Sequence, residues 1–423
     1  MIKDCRFRFL FLFVLAMVLL PLHAQISGYR TQPLVPEIKT LQTIVGDDFM
    51  RLPVIDLSGK EGLEISFDYL SDEQAWLSYR IIHCDRNWNQ DDLDELEFAD
   101  GFLPVRITDV APSFNTFVSY YHYRISFPNE DVSLTASGNY AVLIHPEDDE
   151  DDILAVATFS ISEQLAFVKG EVSGNTDIDY NKSHQQLTID LSWGQSKLPY
   201  VDPAEDIRLV VRQNRSDETR REIAAPARIE GSRAVYEHNR DLIFDAGNSF
   251  RRFEFTDVRY ATFGVDHVDY HAPYYYVTLQ TGRSRSDAAY LYDQDQHGRY
   301  LVHALHVSDE PTEAEYFKAR FMLKAPMSLE RKGIYLSGDF TYGQFSVDFR
   351  MNYDENEDIY WKDVVLKQGA YNYKYYVDEK PSALEGDHYE TDNEYDIYIY
   401  YRPNGARYDR LLGVAQICKR PLK

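Results

Sequence analysis

The sequence predicts an all-β chain of tandem β-sandwiches. Apolar residues recur at every second position along most of the chain, turn residues punctuate these runs at short intervals, and sustained 3.6-residue spacing is missing. Alternation of this kind belongs to strands with one face in a core, and many short strands between turns suggest sandwiches instead of βαβ units.

The runs come in order. Leu77, Tyr79 and Ile81 alternate within Trp76–Ile81, and Leu187, Ile189, Leu191 and Trp193 within the next long run. Ile207, Leu209 and Val211 repeat the pattern, with Val210 as the exception. Tyr371, Tyr373, Tyr375 and Val377 line one face opposite Asn372, Lys374 and Asp378, and Tyr395, Ile397 and Ile399 follow near the C-terminus. Pro128-Asn129, Ser137-Gly138-Asn139, Gly174-Asn175, Gly247-Asn248, His297-Gly298 and Pro403-Asn404-Gly405 supply turns. One short helical turn is expected near Gln90–Phe98. The 33 Tyr and 23 Phe suit half-buried pleated surfaces, so most read as core and cross-strand pairs.

The first residues read as an export signal. Lys3, Arg6 and Arg8 precede an apolar run, Phe9 to Leu20, that is shorter than the roughly 20 residues needed to span a bilayer. Cleavage is placed after Ala24. No Cys stands there for lipidation, and Cys5 lies on the wrong side of the run. No later stretch approaches a membrane span, so direct membrane insertion is not expected. Loss of the leader leaves 41 Lys and Arg against 68 Asp and Glu, a net charge of −27. Such a surface repels phosphate backbones and anionic headgroups, which excludes nucleic acid as a partner.

About 400 residues exceed one sandwich of roughly 100. The expected division is a signal peptide over 1–24, a first sandwich over 25–163, a middle one over 164–309 and a C-terminal one with a tail over 310–423, with Ser308–Thr312 as linker. Cys84 is expected to be a buried small apolar residue and Cys418 a loose tail thiol, with no pairing assigned.

No active site is visible. There is no G-x-S-x-G, Walker loop, H-E-x-x-H or C-x-x-C. His83 and Cys84 are adjacent on a strand and point to opposite faces, so they read as a core Cys beside a hydrogen-bonded His. Asp293-Gln294-Asp295-Gln296-His297-Gly298 matches the opening of a calcium loop, but His297 replaces an oxygen ligand and Ala304 the closing Glu. It reads as a turn between Tyr290–Tyr292 and Tyr300–Val302. Asp354–Asp358 and Glu147–Asp152 read as solvated loops. The sequence therefore singles out no catalytic, cofactor-binding or metal-ligating residues, no cofactor and no small-molecule substrate, and leaves the partner-binding residues unknown.

Ordered fragments carry a resemblance. His83-Cys84-Asp85 with Trp88, Gly101-Phe102, Ser113–Thr116, Tyr121-His122-Tyr123, Pro128-Asn129 and Ser137–Tyr140 resemble the N-terminal domain of the type IX secretion system plug protein family. The resemblance continues through Asn239-Arg240, Asp245–Asn248 with Phe250-Arg251, Gly338-Asp339-Phe340, Glu390–Tyr395 and Tyr401-Arg402-Pro403. It implies a periplasmic subunit, peripherally associated with the outer membrane, that closes the periplasmic end of a large β-barrel translocon. The family has no catalytic residues to carry over. In the bottom-up reading Asn115 and Asn139 satisfy turn backbone, and Gly138 and Gly247 supply positive φ. The Tyr274–Tyr276 group reads as strand and core, with a loop anchor for a partner as the other reading.

The last unit has a second resemblance. Ile334–Phe340, Trp361 and Leu366–Asp378 are similar to early-set immunoglobulin-like domains, a pattern shared with glycogen-binding modules. That implies an immunoglobulin-like sandwich and raises carbohydrate binding as an alternative function. The pattern's Trp after Gly-Asp-Phe is replaced by Tyr342-Gly343-Gln344, and Trp361 lies in a strand-like run expected to be core.

Overall fold

The computed structural model describes residues 28–419 except 195–197, 199–200, 330 and 379, so the expected leader lies outside the described residues. Strands hold 47% of the described residues against 6% in helices, which makes the fold all-β. The first sandwich packs two sheets. One runs Ile38–Val45, Leu63–Tyr69, Tyr121–Phe127, Asp109–Pro112, and the other is built on Ala155–Ser162, Gly138–Pro146 and Leu77–Cys84. Alternation sets the inner face: Leu63, Ile65 and Phe67 pair with Phe127, Ile125 and Tyr123, and all six are buried. Phe67 and Tyr123 stack with ring centroids 5.0 Å apart. Each such side chain contributes about 1.5–3 kcal/mol by leaving water. Gly138–Pro146 is buried on both faces, because Cys84, Ala141, Leu143 and Val156 form a small second cluster on its outer side. The expected helical turn is the short helix Glu95–Phe98. The loop Glu147–Asp152 is the exposed tip between Gly138–Pro146 and Ala155–Ser162.

Beyond residue 163 the sheets depart from the expected division at 309/310. The four-stranded sheet Arg221–Ile223, Ile207–Gln213, Glu394–Tyr401, Arg410–Cys418 joins the chain's middle to its end, with Leu209 opposite Ile399 and Val211 opposite Ile397. It faces a sheet built on Ala166–Ser173, His184–Trp193 and Arg233–Tyr236, and Leu187, Leu191, Leu209, Ile397 and Leu412 share one core. Strands Arg251–Phe255, Tyr274–Leu279 and Tyr300–Val302, assigned to the middle sandwich from sequence, pair instead with strands of the third, and Val265–His271 joins the same sheet through Tyr274–Leu279. The third sandwich is thus inserted between residues 246 and 394 of the second. Periodicity sees a strand's faces but not its partner, and these partners lie about 180 residues apart.

The third sandwich packs Arg251–Phe255, Gly369–Val377, Tyr300–Val302 and Ile334–Ser337 against a sheet centred on Tyr316–Lys324 and Ile359–Lys367. Phe253, Phe321, Tyr371 and Tyr375 fill the space between. Glu310–Glu313, overlapping the expected linker, is a short helix inside this sandwich, and Tyr290–Tyr292 forms no strand. Cys418 ends the strand Arg410–Cys418 opposite Glu394, so it is a strand residue and not a loose tail.

Candidate functional site at the junction of the sandwiches

The three sandwiches meet through buried polar groups. Asp68 lies on an outward-facing position of Leu63–Tyr69, but the third sandwich covers that face. Its carboxylate accepts from His122 Nδ1 at 2.7 Å, Tyr316 OH at 2.7 Å and Lys367 Nζ at 2.6 Å. Asp68 and Lys367 side chains are each 1% exposed. Burial pushes Asp68 up, but Lys367 and then His122 outweigh it, and its carboxyl ends below the ordinary value. Burial wins at Lys367, which is held below its ordinary value despite Asp68. The ammonium also donates to Pro311 O at 2.6 Å and sits 4.2 Å from the Tyr120 ring centroid. Beside this cluster Glu315 accepts from the backbone N–H of Phe117 at 2.6 Å and Val118 at 3.2 Å. Tyr342 OH accepts from Leu41 N at 3.0 Å while its ring packs on the first core.

The second sandwich is tied to both neighbours. Asp409 accepts from Arg86 N at 2.9 Å, and Glu163 accepts from Arg410 Nε at 2.8 Å. Asn139, fully buried, accepts from Tyr400 OH at 3.0 Å and donates to Asp85 O at 2.9 Å. Where the chain enters and leaves the third sandwich, two motifs lock together. Asn393 Nδ2 donates to Ala246 O at 2.7 Å, Thr391 Oγ1 donates to Gly247 O at 2.9 Å, and Arg299 pairs with Glu394. Buried, satisfied contacts of this number hold the sandwiches in one arrangement.

A cleft of about 240 Å³ opens where all three meet, with Trp88, Arg215, Tyr398 and Asp339 among its walls. Arg212 is matched by Asp217 at 3.1 Å and by Tyr398 OH at 3.0 Å. Burial and, after it, the nearby Arg299 pull Arg215 below its ordinary value, and burial pushes Asp339 above its own. The described lining has neither His nor Cys, so it holds no nucleophile paired with an imidazole base. Among the described residues no group of three or more His, Cys, Asp or Glu is arranged to hold a metal ion.

The motifs singled out in the sequence fall elsewhere. His83 Nδ1 meets Asp91 Oδ2 at 2.5 Å and Nε2 meets Ser137 O at 3.2 Å, while Cys84 faces the small outer cluster and its thiol is pushed up by burial. Cys84 and Cys418, the cysteines among the described residues, are unpaired. In the calcium-like turn Asp295 accepts from the backbone N–H of Phe250 at 2.5 Å and of His297 at 3.0 Å, so its oxygens serve the loop. Asp354 likewise caps its own turn through Asn356 N at 2.9 Å. Tyr274–Tyr276 are half-buried strand residues, and Tyr275 packs on Phe117. Trp361 is half-buried under the Arg320 guanidinium, 5.0 Å away, and not in the core. Asn115 adopts φ 60° as a turn residue, and Asn139, itself in a strand, donates to Asp85 O, the carbonyl that Trp88 N closes into a turn, while it also accepts from Tyr400 OH across two sandwiches. Gly138 and Gly247 have φ 141° and 60°. Tyr342, in the place of a glycan-binding Trp, is committed to the first sandwich and forms no open platform.

Fold and junction define a class: an acidic, all-β protein of three interlocked sandwiches whose buried ion pairs fasten one sandwich to the next. No helix among the described residues is long and apolar enough to cross a membrane. Residues 38–163 match the first domain of the type 9 secretion system plug protein. The chain belongs to the type IX secretion system plug protein family. It is also similar to a hypothetical protein from Parabacteroides merdae, known from a crystal structure at 2.30 Å resolution. That likeness has 37% identity and a TM-score of 0.88, over 93% of this chain and all of the other. No curated protein matches the chain in sequence.

Proposed function

We propose that the chain is the periplasmic plug subunit that binds and closes the periplasmic end of the type IX outer-membrane translocon barrel. The observation that carries this reading is the match of residues 38–163 to the plug first domain. The architecture supports it. An obstacle must keep its shape against a flexible pore, and the buried locks Asp68–Lys367, Asn139–Tyr400 and Arg299–Glu394 join each pair of sandwiches. A contact that must also release calls for a mid-sized, polar interface with a few aromatic anchors. Association with the envelope is peripheral and passes through the barrel. A tagged chain expressed in its native host is expected to copurify with a very large outer-membrane barrel, identified by mass spectrometry. Recovery only as a free monomer, in mild detergent with the barrel present, would refute the reading.

A further inference from the structure

The central cleft contains two opposite charges that do not meet. Arg215 reaches it from the turn after Ile207–Gln213, at φ 59°. One Nη donates to Met50 O at 2.8 Å, its Nε is buried without an acceptor, and no carboxylate among the described residues pairs with it. Asp339 lines the same cleft from the third sandwich. Its backbone N–H is bonded to Gly298 O at 2.8 Å, whereas no described donor serves its carboxylate. The two groups feel each other, since Arg215 is the strongest charge acting on Asp339, yet they form no ion pair. Their neighbours offer no relief: Arg212 is taken by Asp217 and Tyr398, and Arg299 by Glu394. Sequestered charges left apart in this way lose solvation without gaining attraction.

We propose that this cleft binds a small dipolar ligand of the α-amino-acid class. The carboxylate of such a ligand would take the open side of the Arg215 guanidinium, and its ammonium would face Asp339. A guanidinium edge matches a carboxylate with two parallel N–H donors. The rings of Trp88 and Tyr398 in the walls leave an apolar side for a side chain. A cavity of 150 Å³ already admits benzene, so the roughly 240 Å³ here is room enough for a small amino acid. The site does not rest on the plug reading: it depends only on the charges of one cleft.

The test titrates the full-length chain by calorimetry with glycine, L-leucine, acetate and methylammonium. Saturable binding of leucine is expected, with acetate and methylammonium at least about tenfold weaker because each satisfies only one of the two charges. Asp339→Asn and Arg215→Gln should each weaken leucine by about tenfold or more, and Arg320→Gln, in an exposed pair with Asp363, should not. Arg215→Gln also removes the Met50 contact, so the four-ligand comparison on the unaltered chain stands without it. No saturable binding of either amino acid at millimolar concentration would overturn the proposal and leave water as the only occupant. Acetate binding as tightly as leucine, or Asp339→Asn without effect, would overturn it as well.

Discussion

Replacing Asp68 with Asn removes the carboxylate that pairs with Lys367. Both side chains are 1% exposed and their charged atoms lie 2.6 Å apart. In the variant the ammonium keeps Pro311 O and the Tyr120 ring, with Asp309 as a more distant charge, but loses its contacting carboxylate. Breaking a buried pair by deleting one partner costs about 3–5 kcal/mol, because the remaining charge has left water without compensation. Oδ1 of Asp68 meets His122 while Oδ2 accepts from both Tyr316 and Lys367, so the single carboxamide oxygen of the Asp68→Asn variant can serve only one of the two sides, and the cost falls within the full range of about 3–5 kcal/mol. Lys367→Met alone should cost less, since Asp68 keeps His122 and Tyr316. The double variant Asp68→Asn/Lys367→Met should be more stable than Asp68→Asn, with a coupling of about 1–3 kcal/mol. Urea unfolding followed by Trp fluorescence measures these differences from midpoints at unchanged slope. The sign with pH is fixed too. The Asp68 carboxyl is lowered in the folded state, so its contribution is present above the unfolded value near 3.9 and is lost as pH falls through the lower folded value. The gap between parent and Asp68→Asn must therefore close in acid. A variant within about 0.5 kcal/mol of the parent at neutral pH would refute the claim that this pair fastens the first and third sandwiches.

Four further outcomes are expected. Asp339→Asn should leave stability at pH 7 unchanged or raised, because a carboxyl whose folded value is raised by burial destabilises the fold increasingly as pH rises from its unfolded to its folded value; thermal unfolding at pH 4 and 7 checks it. Gly138→Ala should destabilise by about 1–3 kcal/mol, since φ is 141° and a Cβ would lie 2.6 Å from His83 Nε2; urea midpoints read it. Tyr342→Ala should cost about 2–4 kcal/mol and raise hydrogen exchange at Leu41, whose N–H loses its acceptor. Iodoacetamide at neutral pH should leave Cys84 unmodified in the folded chain and alkylate Cys418 only slowly, its thiol being pushed up to about 11 chiefly by burial; peptide mass spectrometry distinguishes the two.

Strands and turns were legible because period 2 is a local signal, as at Leu187, Ile189 and Leu191 or Tyr371, Tyr373 and Tyr375. Connectivity was not. Glu394–Tyr401 reads like any other strand, and nothing near it names Ile207–Gln213 as its neighbour. The junction was hidden for the same reason. Glu64, Ser66 and Asp68 alternate as a solvated face would, and only a sheet some 250 to 300 residues downstream turns Asp68 into a buried ion-pair partner. The fragments Asp245–Asn248 and Glu390–Asn393 were noticed as motifs, and the structure gives their physical reason: they clasp each other at the chain's two crossings into the third sandwich. Tyr342 stood out as a departure from a sugar-binding pattern, and it proved to be a peg between sandwiches. Of the unmatched pair of the cleft, Arg215 left no mark in the sequence and Asp339 stood out only inside the Gly338-Asp339-Phe340 motif, because charge spacing along a chain says nothing of what faces it across a fold.

The most direct test is the conductance of the purified translocon barrel in a planar bilayer, with the chain added from the periplasmic side. The account predicts that open current falls to near zero as the chain binds, and that a version loosened at Asp68 and Tyr342 blocks less completely. Undiminished current at saturating chain would contradict it.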